Sequence, residues 1–314
     1  MSRDPFSGET RDRTSTPDVL DRTAKRQRPS QTLDLPDTTR KGHETDRAGQ
    51  EIVRTGRESA QSDRNESLRT YHIRDRAYRL RDSQIASLRE IGRFRVISVA
   101  DLSTYSYGKD RARAEKDLRD LEQQSLLKDS TFEISRKRTL RVVTLTKAGY
   151  RLLSQSNQLP EGQPIYHGLK KPREVAHDAD LYKLYQKEAA RIERAGGRPV
   201  RVLLDYEIKR HLNRDLAQIG TEKDDPDRRA EIAAKHALPI VNGRISIPDL
   251  RVEYETPDSE LRRVDLELAT GNYRPRAVCA KAAAGFSVYG RAGDTSRLRR
   301  VLDEREITAE IFTL

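Results

Sequence analysis

The chain has 314 residues, with 61 Lys+Arg against 50 Asp+Glu and a net charge of +11. That length allows two ordinary domains, and the charge favours a polyanionic partner. Charged residues make up 35% and hydrophobic residues only 34%, which excludes one large core and predicts an unstructured part. Cys279 is the only cysteine. An internal disulfide framework and a multi-cysteine zinc site are therefore excluded, and the expected compartment is a reducing cytoplasm. Between Val278 and Ala280, Cys279 reads as a small buried apolar residue on a helix. No apolar run approaches a membrane span, so no membrane partner is expected. The start, Met1-Ser2-Arg3-Asp4-Pro5, lacks the apolar segment of a signal peptide. There is no G-x-x-x-x-G-K-[ST] phosphate loop, so no NTPase is implied.

Residues 1–75 are rich in Arg, Asp, Ser, Thr, Gln and Pro, with few apolar anchors. They are expected to be disordered, serving as a flexible tether or a plain linker. A compact segment, 78–156, follows. Ile85, Leu88 and Ile91 recur at helical spacing and predict a helix over 83–91. Residues 93–97 read as a short extended piece. Ser98 caps a second short helix through Leu102, and Gly108 lies in the next turn. A third, basic helix is expected over 109–124. Ala114, Leu118 and Leu121 face a core there, while Lys109, Arg111, Arg113, Lys116 and Arg119 face outward. Tyr105 and Tyr107, just before it, suit either a sugar–phosphate edge or packing beneath the helix. Next comes a hairpin. Phe132 and Ile134 alternate with Thr131, Glu133 and Ser135, and Leu140 and Val142 alternate with Arg141 and Val143. Arg136-Lys137-Arg138 forms its tip. Thr146 caps a closing helix over 147–154. The order helix–helix–helix–strand–strand–helix is that of a winged helix-turn-helix. Duplex DNA is the expected partner, with Arg141 joining the hairpin-tip cations and the helix cations in the contact set.

The run Leu118-Arg119-Asp120-Leu121, then Leu126-Leu127, the basic hairpin and Leu145-Thr146-Lys147-Ala148-Gly149-Tyr150 resembles bacterial winged-helix regulators. Over residues 78–314 the chain more closely resembles the replication-relaxation family of plasmid and mobile-element proteins. That resemblance implies a winged helix followed by a domain remotely similar to restriction-endonuclease-like folds. It also implies a role in replication, transfer or transcriptional control, with replication or transfer proteins as candidate partners. A homodimer is left open.

After a linker at 157–172, residues 173–314 read as a mixed α/β domain. Helix 174–194 is stopped by Gly196-Gly197. Strands are expected at 200–204, 244–254, 262–268 and 307–312, loops or short helices at 214–231, and an Ala-rich helix at 273–289 with Pro275 in its first turn. This order resembles the PD-(D/E)xK nuclease core. Asp249 sits in one strand, and Asp265 and Glu267 share a face of the next. The three carboxylates form a candidate Mg²⁺ and catalytic set for a DNA endonuclease or nickase, with Glu207 as a candidate fourth acid. No other cofactor is expected. The family signature wants Lys two residues after its second acid. If Asp265 is that acid, Glu267 stands in the Lys slot. If Glu267 is, the slot holds Ala269, and Lys281 on the following helix supplies the charge. The competing reading is a degenerate fold that clamps DNA or dimerises, its carboxylates being strand-edge charges. His177, near Asp178 and Asp180, suits a metal or acid–base role, or a plain helix-start packing role. His167, His211 and His236 have no ligand spacing with one another.

Overall fold

The computed structural model describes residues 67–156, 158–170, 172–218, 225–270, 273–305 and 310–314. The disorder expected for residues 1–66 lies outside the described residues. Residues 67–75, grouped with that segment by composition, instead open a hairpin. β1 (Leu68–Ile73) pairs antiparallel with β2 (Arg76–Arg81), whose Tyr78 and Leu80 alternate inward.

Helix α1 (Asp82–Phe94) buries Ile85, Leu88, Ile91 and Phe94. It absorbs the start of the expected extended piece; the chain reverses at Arg95 and enters the two-residue β3 (Ile97–Ser98). The Ser98 hydroxyl accepts the Asp101 N–H and caps α2 (Val99–Ser106). Gly108 and Lys109 both adopt positive φ, 57° and 73°. Lys109 therefore sits in the turn rather than on the helix. Asp110 caps α3 (Arg111–Gln123) by accepting the Arg113 N–H. β4 (Leu127–Ser135) and β5 (Arg138–Leu145) form the wing, in a sheet of order β3-β5-β4. Thr146 caps α4 (Lys147–Gln155). A Cβ at Gly149 would lie 2.1 Å from the Leu126 carbonyl oxygen, so only glycine lets α4 approach the start of the wing.

The segment expected as a linker is tied on both sides. The Tyr166 N–H donates to the Gly92 carbonyl and the Gly168 N–H to that of Leu145. The Gln163 amide pairs with both backbone groups of Val202, at 2.9 Å each.

After the 3₁₀ turn Pro172–Glu174 come α5 (Val175–Arg194), β6 (Arg198–Leu204), α6 (Asp205–Gln218), α7 (Pro226–Lys235), β7 (Ile240–Val241) and β8 (Arg244–Ile245). These are followed by β9 (Leu250–Glu255), β10 (Leu261–Ala269), α8 (Pro275–Ala283), β11 (Ser287–Gly290), α9 (Thr295–Asp303) and β12 (Ile311–Thr313). One sheet runs β12-β11-β10-β9-β6, antiparallel from β6 to β10 and parallel from β10 to β12. The expected strand over 244–254 is broken at Pro248, which has no N–H to give a ladder, so Asp249 precedes β9 rather than lying in a strand. The expected helix over 273–289 stops at Ala283; Gly285 takes φ 80° and β11 follows. The stretch 214–231, read as loops or short helices, holds the end of α6 and the start of α7, and Glu207 rides on α6.

One apolar cluster runs from Ile73 through Leu88, Phe94, Tyr182 and Val202 to Leu268 and Leu314. The wing sheet packs Val143 into it and turns Val142 toward Val175 and Ala179 of α5. No helix among the described residues is long and apolar enough to cross a membrane.

Candidate nucleic-acid interface

Helix α3 carries four basic residues, Arg111, Arg113, Lys116 and Arg119, and four acidic ones, Glu115, Asp117, Asp120 and Glu122. By count it is neutral. The fold separates the two sets. Asp117 is buried and accepts hydrogen bonds from the Arg81 guanidinium (2.6 Å), Ser83 Oγ (2.7 Å) and the Tyr107 hydroxyl (3.2 Å). Asp120 also takes Arg81 at 2.6 Å. Burial opposes the charge on Arg81, but the two carboxylates hold its pKa above the ordinary value. Glu115 is paired with Arg141 at 2.6 Å. Three of the four acids are thus neutralised by cations from other elements, and the outward face keeps Arg111, Lys116 and Arg119, all exposed. Arg113 is half-buried. Tyr107 packs beneath the helix, with its hydroxyl 2.6 Å from Ser87 Oγ, and Tyr105 lies edge-on to Tyr182.

The wing turn presents Arg136, Lys137 and Arg138, all exposed. Among the described residues none of the three is held in an ion pair, and neither is Lys109 or Arg111. Arg141 differs. It is clamped between Glu115 of α3 and Asp129 of β4, the latter at 2.6 Å, and both carboxylates raise its pKa. It joins the wing to the helix instead of facing outward as an unengaged cation.

The acidic residues of the second half do not converge as the sequence suggested. Asp265 is taken by Arg251 of the neighbouring strand in a two-pronged ion pair, at 2.6 and 2.9 Å. Glu207 is bound to Arg210 and His211. What does gather is Asp249, Glu267, Lys281, His177 and Tyr273. Asp249 accepts the Leu268 N–H at 2.9 Å and lies 3.4 Å from His177 Nε2. Glu267, 1% exposed, receives Lys281 Nζ at 2.8 Å and the Tyr273 hydroxyl. Burial and the nearby Asp249 push the Glu267 carboxyl up. Burial also acts against the charge on Asp249, but His177 and the Leu268 N–H hold its carboxyl below the ordinary range. Each of these two carboxylates is already matched by a cation, and no three His, Cys, Asp or Glu among the described residues form a metal-holding group. A divalent cation entering here would meet two carboxylates already held by Lys281 and His177. Asp180 is paired with Arg291, and Cys279 is buried on α8.

No protein family model matches the chain, and no curated protein matches it. Among solved structures the chain is similar to Bacillus subtilis PadR, crystallised in complex with operator DNA. The identity is 17%, over 51% of this chain and 82% of that one, with a TM-score of 0.21. The resemblance to the replication-relaxation family has the motifs quoted above as its whole support.

Sequence reasoning missed Arg81, Ser83 and Asp117 as the parts that seat α3. One signal was present: an Asp in the second turn of a basic helix, on the same face as Leu118 and Leu121, is a buried charge in need of a partner.

Proposed function

We propose that the segment from α1 to α4 binds double-stranded DNA. In this reading α3 lies in the major groove, and the Arg136-Lys137-Arg138 turn reaches the adjacent minor groove or backbone. One observation carries it. Three of the four acids of α3 are taken by Arg81 and Arg141, so a helix neutral by count turns an exposed cationic face outward beside an exposed cationic turn. Phosphate contacts position such a fold on a duplex whatever its sequence. The setting we propose is control of replication, transfer or transcription on a plasmid or mobile element, supported by the motif resemblance alone. In the same reading the second half serves as a scaffold and clamp rather than as a nuclease, because Asp265 is diverted and Glu267 is neutralised.

The test is a salt titration of duplex binding by fluorescence anisotropy. Replacing Arg136, Lys137 and Arg138 together with Ala should lower the log–log salt slope by roughly 2 to 3, at ~0.9 for each phosphate no longer engaged. An unchanged slope and unchanged affinity would refute the placement. Wild-type protein incubated with supercoiled plasmid and Mg²⁺ should leave it intact; nicking abolished by Glu267→Gln would overturn the scaffold role.

A further inference from the structure

A cavity of about 740 Å³ lies between the end of α1, the segment 162–170, β6 and α6. That is within the size range of small-molecule sites, roughly 300–1,000 Å³. Its walls carry Arg95, Lys170, Arg201 and Arg210 against one carboxylate, Glu207. Glu207 is occupied by Arg210 and His211, and Arg201 is paired with Glu253.

Arg95 is the unusual member. It is 6% exposed, yet among the described residues no carboxylate lies within ion-pair distance of it. Other largely covered guanidinium groups do find acids: Arg93 has Glu90 and Arg251 has Asp265. Arg95 instead lies over the Tyr206 ring at 4.3 Å and the Tyr166 ring at 5.2 Å, with Nε 3.4 Å from the Tyr206 hydroxyl. Ring faces offset only part of the cost of a buried cation, and a counter-anion is missing. The backbone at Arg95 also sits at φ 66°, where a side-chain-bearing residue is strained, so the fold holds the guanidinium there against local preference. Tyr166 adds a buried hydroxyl: the residue is 6% exposed and edge-on to Tyr206, and the Tyr206 hydroxyl is the group that approaches its oxygen. Lys170, exposed at the rim, holds its Nζ 5.5 Å from the centre of the Tyr206 ring.

We infer that this cavity binds a small organic anion bearing a planar ring. Its phosphate or carboxylate neutralises Arg95, with Lys170 closing from the rim. The Tyr166 hydroxyl donates to an oxygen of the anion, and the ring packs against the tyrosines. Arg95 follows α1 directly, while Tyr206 belongs to α6, so the ligand would touch both halves of the chain.

The experiment is calorimetric titration of the full chain with phenyl phosphate, benzoate, inorganic phosphate and phenol. At least one ring-bearing anion should bind saturably and at one site, more tightly than inorganic phosphate or phenol. Lys170→Ala and Tyr166→Phe, with folding checked by circular dichroism, should weaken that binding tenfold or more, and Arg95→Gln should abolish it. Equal binding by wild type and by the Lys170 and Tyr166 variants would overturn the assignment, as would failure of both ring-bearing anions to bind at millimolar concentration. Inorganic phosphate binding as tightly as phenyl phosphate would overturn the ring. Duplex DNA that displaces phenyl phosphate from wild type would overturn a small-molecule ligand in favour of a backbone phosphate.

Discussion

Single residues decide which charges on this chain are available. Asp117 and Asp120 are spent on Arg81, Asp265 on Arg251 and Glu267 on Lys281. Each pairing removes a charge that the bare sequence offers to a ligand. His177 follows the same rule and gives it a pH dependence. Its ring lies 3.6 Å from Asp178 and 3.4 Å from Asp249, and Asp249 is in turn influenced by Glu267 and Lys281. Burial opposes the charged imidazole, but the two carboxylates raise its pKa to about 10. The ordinary value is ~6.5. Between those values the native state keeps a proton that the unfolded chain has released. The stability gained is complete below pH ~6.5 and is lost as pH rises through the folded value. The slope is at most about 1.4 kcal/mol per pH unit. The lowered pKa of Asp249 is the other side of the same contact and adds nothing further. Urea unfolding of wild type and His177→Gln from pH 7 to 9.5 should therefore show the wild-type advantage shrinking steadily. A difference independent of pH would mean that the carboxylates do not keep the ring charged.

At the scale of elements, local signals were legible and long-range ones were not. Ser98 and Thr146 read as caps because a hydroxyl before an apolar helix has one good use, and both accept the expected N–H. The wing turn was legible from alternation on either side of Arg136-Lys137. The partition of charge on α3 was not, since Arg81 and Asp117 are 36 positions apart. β11 was hidden because Ala282-Ala283-Ala284 extends a helical pattern that Gly285 ends. Arg141 was read as a DNA contact because its alternation is outward, and it is indeed 41% exposed; its two acid partners come from different elements. The wing and α3 thus share a brace, and braces and contacts respond differently to salt. An exposed pair contributes roughly 0.2–1 kcal/mol of stability. Arg141→Met should accordingly leave thermal stability nearly unchanged and weaken DNA binding severalfold, with the salt slope equal to that of wild type. A slope lowered by ~0.9 would identify Arg141 as a phosphate contact after all.

Across the whole molecule, composition suggested two domains joined by a linker, but the largest apolar cluster of the described residues spans both halves. The reason is visible at Phe94. It closes α1, is 1% exposed, and meets the rings of Tyr182 and Tyr185 of α5 at 5.2 and 5.0 Å. Arg93 reinforces the contact by donating to the Tyr185 hydroxyl at 3.0 Å. Hydrophobic periodicity identifies the buried face of each helix without naming its neighbour, so a core shared between halves reads as two cores. A shared core should couple the unfolding of its parts. Phe94→Ala leaves a cavity that belongs to both halves, and such truncations cost about 3–5 kcal/mol. Native-state hydrogen exchange on that variant should show the amides of β5 and those of β9 and β10 losing protection together and by the same free energy. If only β5 loses protection while β9 and β10 keep theirs, the two halves fold independently, and a ligand seated between α1 and α6 would have no means of reaching the wing.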